Sequence, residues 1–122
     1  MKIRIRANSI RFRLTKSEVD QLCNTGMIEE TTPFRIKNFR YRVEQSRAND
    51  ELSATFADNR ITLYLPEKYA KSWNINDQVG FENTMELPGQ QQLLLLLEKD
   101  FNCLSPRGED ETDNYINPKA AE

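Results

Sequence analysis

Five cations alternate with apolar residues near the start of the chain: Lys2, Arg4 and Arg6 in one short run, Arg11 and Arg13 in the next, with Ile3, Ile5, Ile10, Phe12 and Leu14 between them. If both runs are strands, the period of two puts the cations on one face and the apolar side chains on the other. Guanidinium groups set out along a two-stranded ribbon can pair with phosphates or, in a groove, bidentately with guanine edges. The same stripe also describes a solvated outer strand face kept polar for solubility. A second cluster lies near the end, where Glu109, Asp110, Glu111 and Asp113 precede Tyr115 and Ile116. Oxygen-only ligands suit Ca²⁺ or Mg²⁺, but the spacing lacks the repeated Asp-x pattern and far glutamate of a calcium loop, so no metal site is expected.

Other chemistries lack their parts. The chain has no histidine, which removes the commonest general base and transition-metal ligand. Cys23 and Cys103 have no metal or redox spacing, and without histidine neither has the usual activating base. There is no phosphate-cradling glycine loop and no nucleophile elbow, so the expectation is a non-enzymatic protein without a cofactor.

The elements that must position these residues fit one domain, since 122 residues suffice for one core and not for two ordinary domains. The longest apolar run, Leu93 to Leu97, is far below a membrane span, and the charged start does not read as a signal peptide, so a cytoplasmic protein without membrane contact is expected. Residues 1 to 47 carry eleven Lys and Arg against five Asp and Glu, a net of +6, while residues 48 to 122 carry six against fourteen, a net of −8. Such asymmetry fits a basic surface for an anionic partner, or two halves that pair with each other in the fold.

The chain also repeats itself with an offset of 51. Asn8 to Thr15 lies over Asn59 to Pro66 with Ile10, Phe12 and Leu14 on Ile61, Leu63 and Leu65; Val19 then meets Ala70, Leu22 meets Trp73 and Ile28 meets Val79. Each copy reads as β-β-α-β-β. In copy one, about 2–45, Thr15 to Glu18 forms a capping box before a short helix that ends at Gly26, followed by strands over Met27 to Glu30 and Phe34 to Val43. In copy two, about 52–101, Pro66 opens a helix with Tyr69, Ala70 and Trp73 as its buried stripe, and strands follow over Gln78 to Glu82 and Gln91 to Lys99. Leu93 to Leu97 shows no alternation and should sit centrally or against a partner. Residues 1–104 thus form one domain, and 105–122 has the composition of a flexible acidic tail.

Ala7-Asn8-Ser9 followed by Arg13-Leu14-Thr15 is similar to the front strand of MazE-type antitoxins, and Asn59 to Leu63, Pro66 and Asn76 to Val79 resemble the corresponding run of AbrB-type regulators. The resemblance implies a mainly β (α+β) fold: a small closed swapped-hairpin barrel, formed here by two tandem copies in one chain, as a monomer or homodimer. It further implies DNA binding through Arg4, Asn8, Ser9 and Arg13, with Arg60 at the matching turn of copy two; Arg11 joins them as an outward arginine of the same strand. Copy two carries Thr62 and Tyr64 where copy one has Arg11 and Arg13, so half of the footprint lacks charge. Antitoxins of this type wrap a toxin with an acidic tail, which makes Glu109, Asp110, Glu111, Asp113, Tyr115 and Ile116 an alternative, protein-binding site. The whole chain also looks like a family of small uncharacterised bacterial proteins.

Overall fold

The computed structural model describes residues 1–101 and 112–116. Its element order is β1 (Lys2–Arg6), β2 (Ser9–Leu14), α1 (Lys16–Thr25), β3 (Met27–Pro33), β4 (Asn38–Ser46), β5 (Ser53–Ala57), β6 (Arg60–Pro66), α2 (Glu67–Ala70), β7 (Gly80–Leu87) and β8 (Gln91–Lys99). The β-β-α-β-β order therefore occurs twice. Local chemistry sets the joints: Glu18 accepts from the Thr15 backbone N–H at 2.8 Å, the reciprocal half of the capping box, and Gly26 ends α1 at φ 91° with its N–H on the Leu22 carbonyl. In the first hairpin turn the left-handed residue is Ala7 (φ 49°), whereas the second turn uses Asp58 and Asn59 (φ 54° and 61°), types that tolerate this region.

The strands form two four-stranded sheets, ordered β1-β2-β8-β7 and β3-β4-β6-β5. Each contains one hairpin from each half of the chain, joined at its centre by a parallel pair: Ser9 to Leu14 beside Leu94 to Lys99, and Arg40 to Ser46 beside Arg60 to Pro66. Their inner faces share one core in which Phe12, Leu14, Val43, Leu63, Leu65, Leu95 and Leu97 are fully buried. The apolar run of β8 occupies the expected central position, with Leu95 and Leu97 facing inward.

The expected closed barrel is not formed. Among the described residues, β1 and β7 edge one sheet and β3 and β5 the other, and no ladder joins the two sheets. The inward-facing apolar strands find both partners within their own sheet. The outer strands β1 and β3 are largely polar and exposed, the character of guarded edges rather than of a seam.

The two halves match more closely in architecture than in spacing. Ile10 beside Leu95 corresponds to Ile61 beside Tyr41, and Ile28 beside Val43 corresponds to Phe81 beside Leu97. The equivalent of Ile28 is therefore Phe81, and Val79 is half-exposed instead of buried. The discrepancy arises after the second helix, because α2 is a single turn and Trp73 lies beyond it in a turn segment. There its indole still fills the core, donates to the Gln78 carbonyl at 2.8 Å and packs on Phe81 at 5.1 Å between ring centres. Strand β3 runs to Pro33, and the turn at 34–37 falls where the sequence reading starts the next strand.

Gly80 fixes how closely β7 approaches β8. A Cβ there would collide with the Leu97 carbonyl oxygen and lie 2.9 Å from Glu98 Cα, both backbone atoms that cannot turn away. Gly80→Ala should lower unfolding free energy by about 1–3 kcal/mol, read as a lower urea midpoint at unchanged slope.

Candidate functional site

The outer face of the first sheet gathers the basic residues. Antiparallel register sets Lys2 opposite Arg13, Arg4 opposite Arg11 and Arg6 opposite Ser9, so five cations share one ribbon. Across the parallel junction, Arg13 is beside Glu98 and Arg11 beside Leu96. Glu98 answers two of the cations, with its Oε1 3.0 Å from Arg11 Nε and 3.8 Å from Arg13 Nε. Lys2 reaches the buried Asp100 carboxylate at 3.2 Å. Arg4 and Arg6 are exposed and have no ion pair among the described residues. Sheet formation thus brings Glu98 and Asp100 of the acidic half to Lys2, Arg11 and Arg13 of the basic half.

The remaining residues implied for DNA have other surroundings. Asn8 is exposed, but its Nδ2 donates to the Gln92 carbonyl at 3.0 Å, tying the first turn to the start of β8. Ser9 is half-buried beside it. Arg60 is on the outer face of the other sheet, 3.6 Å from Glu29, which also holds Arg42 at 3.0 Å. It is not brought together with Arg4, Arg11 and Arg13. Arg6, which shares their face and is exposed, is absent from the residues that the motif resemblance selects, although strict alternation from Arg4 points to it.

The tail expectation needs correction in part. Glu109, Asp110 and Glu111 lie outside the described residues. Residues 112–116 are folded onto the chain itself and do not extend freely. The Asp113 carboxylate accepts from the Ser17 hydroxyl at 2.5 Å and backbone N–H at 3.3 Å, at the start of α1, while its carbonyl accepts from Lys16 N–H. Tyr115 donates its N–H to the Asp100 carbonyl at 2.7 Å, pairs with Phe101 and takes the ammonium groups of Lys99 and Lys16 over its ring at 5.0 and 5.9 Å. Asn114 is buried and Ile116 exposed. Two of the residues proposed for a protein partner are therefore engaged within the chain. An acidic side chain at a helix start and an aromatic over cations explain why so polar a segment docks.

Burial pushes the Tyr115 phenol up to about 12 and raises the Cys23 thiol, whose Sγ donates to the Ala70 carbonyl at 3.2 Å. Burial also lowers the Lys99 ammonium, yet its Nζ is held by the Asn76 carbonyl at 2.8 Å and lies 5.7 Å from the Trp73 ring centre, a structural placement. Among the described residues no group of three or more His, Cys, Asp or Glu converges on a metal-sized site. No helix among them is long and apolar enough to cross a membrane.

The hydrogen bonds from Ser17 and Thr15 hold the Asp113 carboxyl below the usual carboxylate range. A depressed value means that ionised Asp113 favours docking: this contribution is complete above the ordinary carboxylate pKa and is lost as pH falls through the depressed one. Proton NMR should show Tyr115–Phe101 ring contacts fading in that acid window. Asp113→Asn should weaken them at neutral pH and remove this acid dependence.

Comparison with known proteins adds a family without a function. No curated protein and no solved structure matches the chain. A family model described as a family of unknown function, DUF7009, matches residues 1–119, and the chain therefore belongs to that family.

Proposed function

We propose that the chain is a non-enzymatic binding module that contacts DNA with the outer face of the β1–β2 hairpin. The observation that carries this reading is the grouping of Lys2, Arg4, Arg6, Arg11 and Arg13 on one ribbon at a sheet edge, with Arg4 and Arg6 exposed and unpaired among the described residues. The reading retains the hairpin-strand contact that the AbrB- and MazE-type resemblance implies and does not require the barrel. It differs in its contact set. Arg4 and Arg6 lead, Arg11 and Arg13 contribute to the extent that Glu98 releases them, and Asn8 shapes the turn. The contacts are with phosphates first, since exposed guanidinium groups on a ribbon position a backbone before they read bases.

A fluorescent DNA duplex titrated across a salt series tests it. Affinity should fall log-linearly with salt, and Arg4→Gln with Arg6→Gln should flatten the log-log slope by about 2 while weakening low-salt binding roughly tenfold or more. Glu98→Gln should strengthen binding by releasing Arg11 and Arg13. Both variants change half-buried or exposed outer-face side chains, so unchanged melting would separate binding from folding. Absence of binding at low salt, or a slope indifferent to Arg4 and Arg6, would refute the reading.

A further inference from the structure

A different part of the molecule offers a site for an apolar ligand. The turns at 7–8, 34–37, 58–59 and 88–90 all lie at one end, and there the core stops short of the tips. Ile10 and Ile61 are the last nearly buried residues, at 9% and 7% exposure, whereas Ile5 and Phe56 are 56% and 72% exposed. Between the sheets is a cleft of about 510 Å³, walled by Ile5, Met85 and Leu93 on one side and Phe39, Ala54 and Phe56 on the other. Thr55 is the one polar residue on its wall among the described residues. Its size is within the roughly 300–1,000 Å³ of sites that enclose one small ligand.

The polar feature that such a ligand needs lies next to this cleft. An annexe of about 150 Å³ shares the Phe39 and Phe56 walls and adds Lys37, Asn38 and Asn59. Lys37 has no ion pair among the described residues, and Arg35 is exposed in the same turn; Asp58 is the one carboxylate of the two turns that flank the annexe. An apolar cleft next to a smaller pocket lined by Lys37, Asn38 and Asn59 is complementary to an apolar chain with an anionic head. The volume also limits the form of the ligand: a helix about 10 Å wide would exhaust 510 Å³ in little more than one turn, whereas a single hydrocarbon chain fits.

We propose that this cleft binds one straight long-chain fatty acid, with its hydrocarbon between the sheets and its carboxylate at Lys37, Asn38 and Asn59. Lys37 supplies the charge and the amides supply further donors. This site is separate from the outer arginine face, so it stands or falls independently of DNA binding.

Fluorescence titration of the full chain with cis-parinaric acid, followed by displacement with saturated fatty acids of eight to eighteen carbons, tests the proposal. The expected result is saturable one-to-one binding at submicellar concentration, tightening about fourfold per added methylene until the cleft is full. Lys37→Glu should weaken hexadecanoate tenfold or more and leave hexadecanol unchanged. Ala54→Trp, which fills the slot, should abolish both. Should Ala54→Trp fail to fold, the surface change at Lys37 still decides the head-group assignment. Equal affinity for acid and alcohol, no saturable uptake, vesicle association without monomer uptake, or apolar-end dimerisation in its place would each overturn the proposal.

Discussion

Everything in this fold depends on two parallel junctions, β2 against β8 and β4 against β6. Hairpins are local and could form from either half of the chain, but each junction pairs a strand of one half with a strand of the other. Neither sheet is complete without both halves, and the strands meeting there carry most of the fully buried side chains, Phe12, Leu14, Val43, Leu63, Leu65, Leu95 and Leu97. The apolar free energy of the core is thus available only once the halves have exchanged hairpins. The charge arrangement is a by-product of the same pairing. Glu98 comes to Arg11 and Arg13 because β8 lies beside β2, and the outward face of the first sheet becomes basic at the β1 edge and mixed toward β8.

That dependence explains what was legible in the sequence. Period-two alternation identified β1, β2 and β6 and their inward sets, and the capping box and Gly26 bracketed α1, because each of these signals is local. The repeat was visible where both copies keep the same spacing and misled after Ala70, where a single helical turn and a looser turn segment replaced a full helix. Trp73 is buried, as the stripe with Tyr69 and Ala70 implies, but from a turn beyond α2; a large aromatic finds the core from a turn as readily as from a helix. Closure into a barrel was not legible at all, since it turns on which strands remain unpaired at the sheet edges, and no single strand's pattern records that.

The candidate sites divide along the same line. Alternation alone places Lys2, Arg4, Arg6, Arg11 and Arg13 on the outer face, and the motif resemblance narrows them to Arg4 and Arg13. The carboxylate neighbour of Arg11 and Arg13, Glu98, could not be found in this way, because it arrives from the far end of the chain. Tyr115 looked like an anchor awaiting a partner and is in fact held by Phe101, Asp100 and Lys99. The turn at 34–37, which bears Lys37 of the annexe, lies inside the run Phe34 to Val43 that the sequence reading makes one strand. An opening between two sheets has no linear signature.

The partnership of Ser9 with Leu94 also orders events during synthesis. As the chain leaves the ribosome, β2 has no neighbour on its inner edge until β8 has been translated, almost the whole length later. Through that interval the inner edge of β2 has no strand partner and Arg11 and Arg13 lack Glu98. Contacts so distant along the chain make for slow closure and a long exposure of one bare strand edge. The nascent first half is therefore the vulnerable species, and a chain interrupted before β8 leaves an adhesive, positively charged ribbon beside the polyanionic RNA of the ribosome that made it.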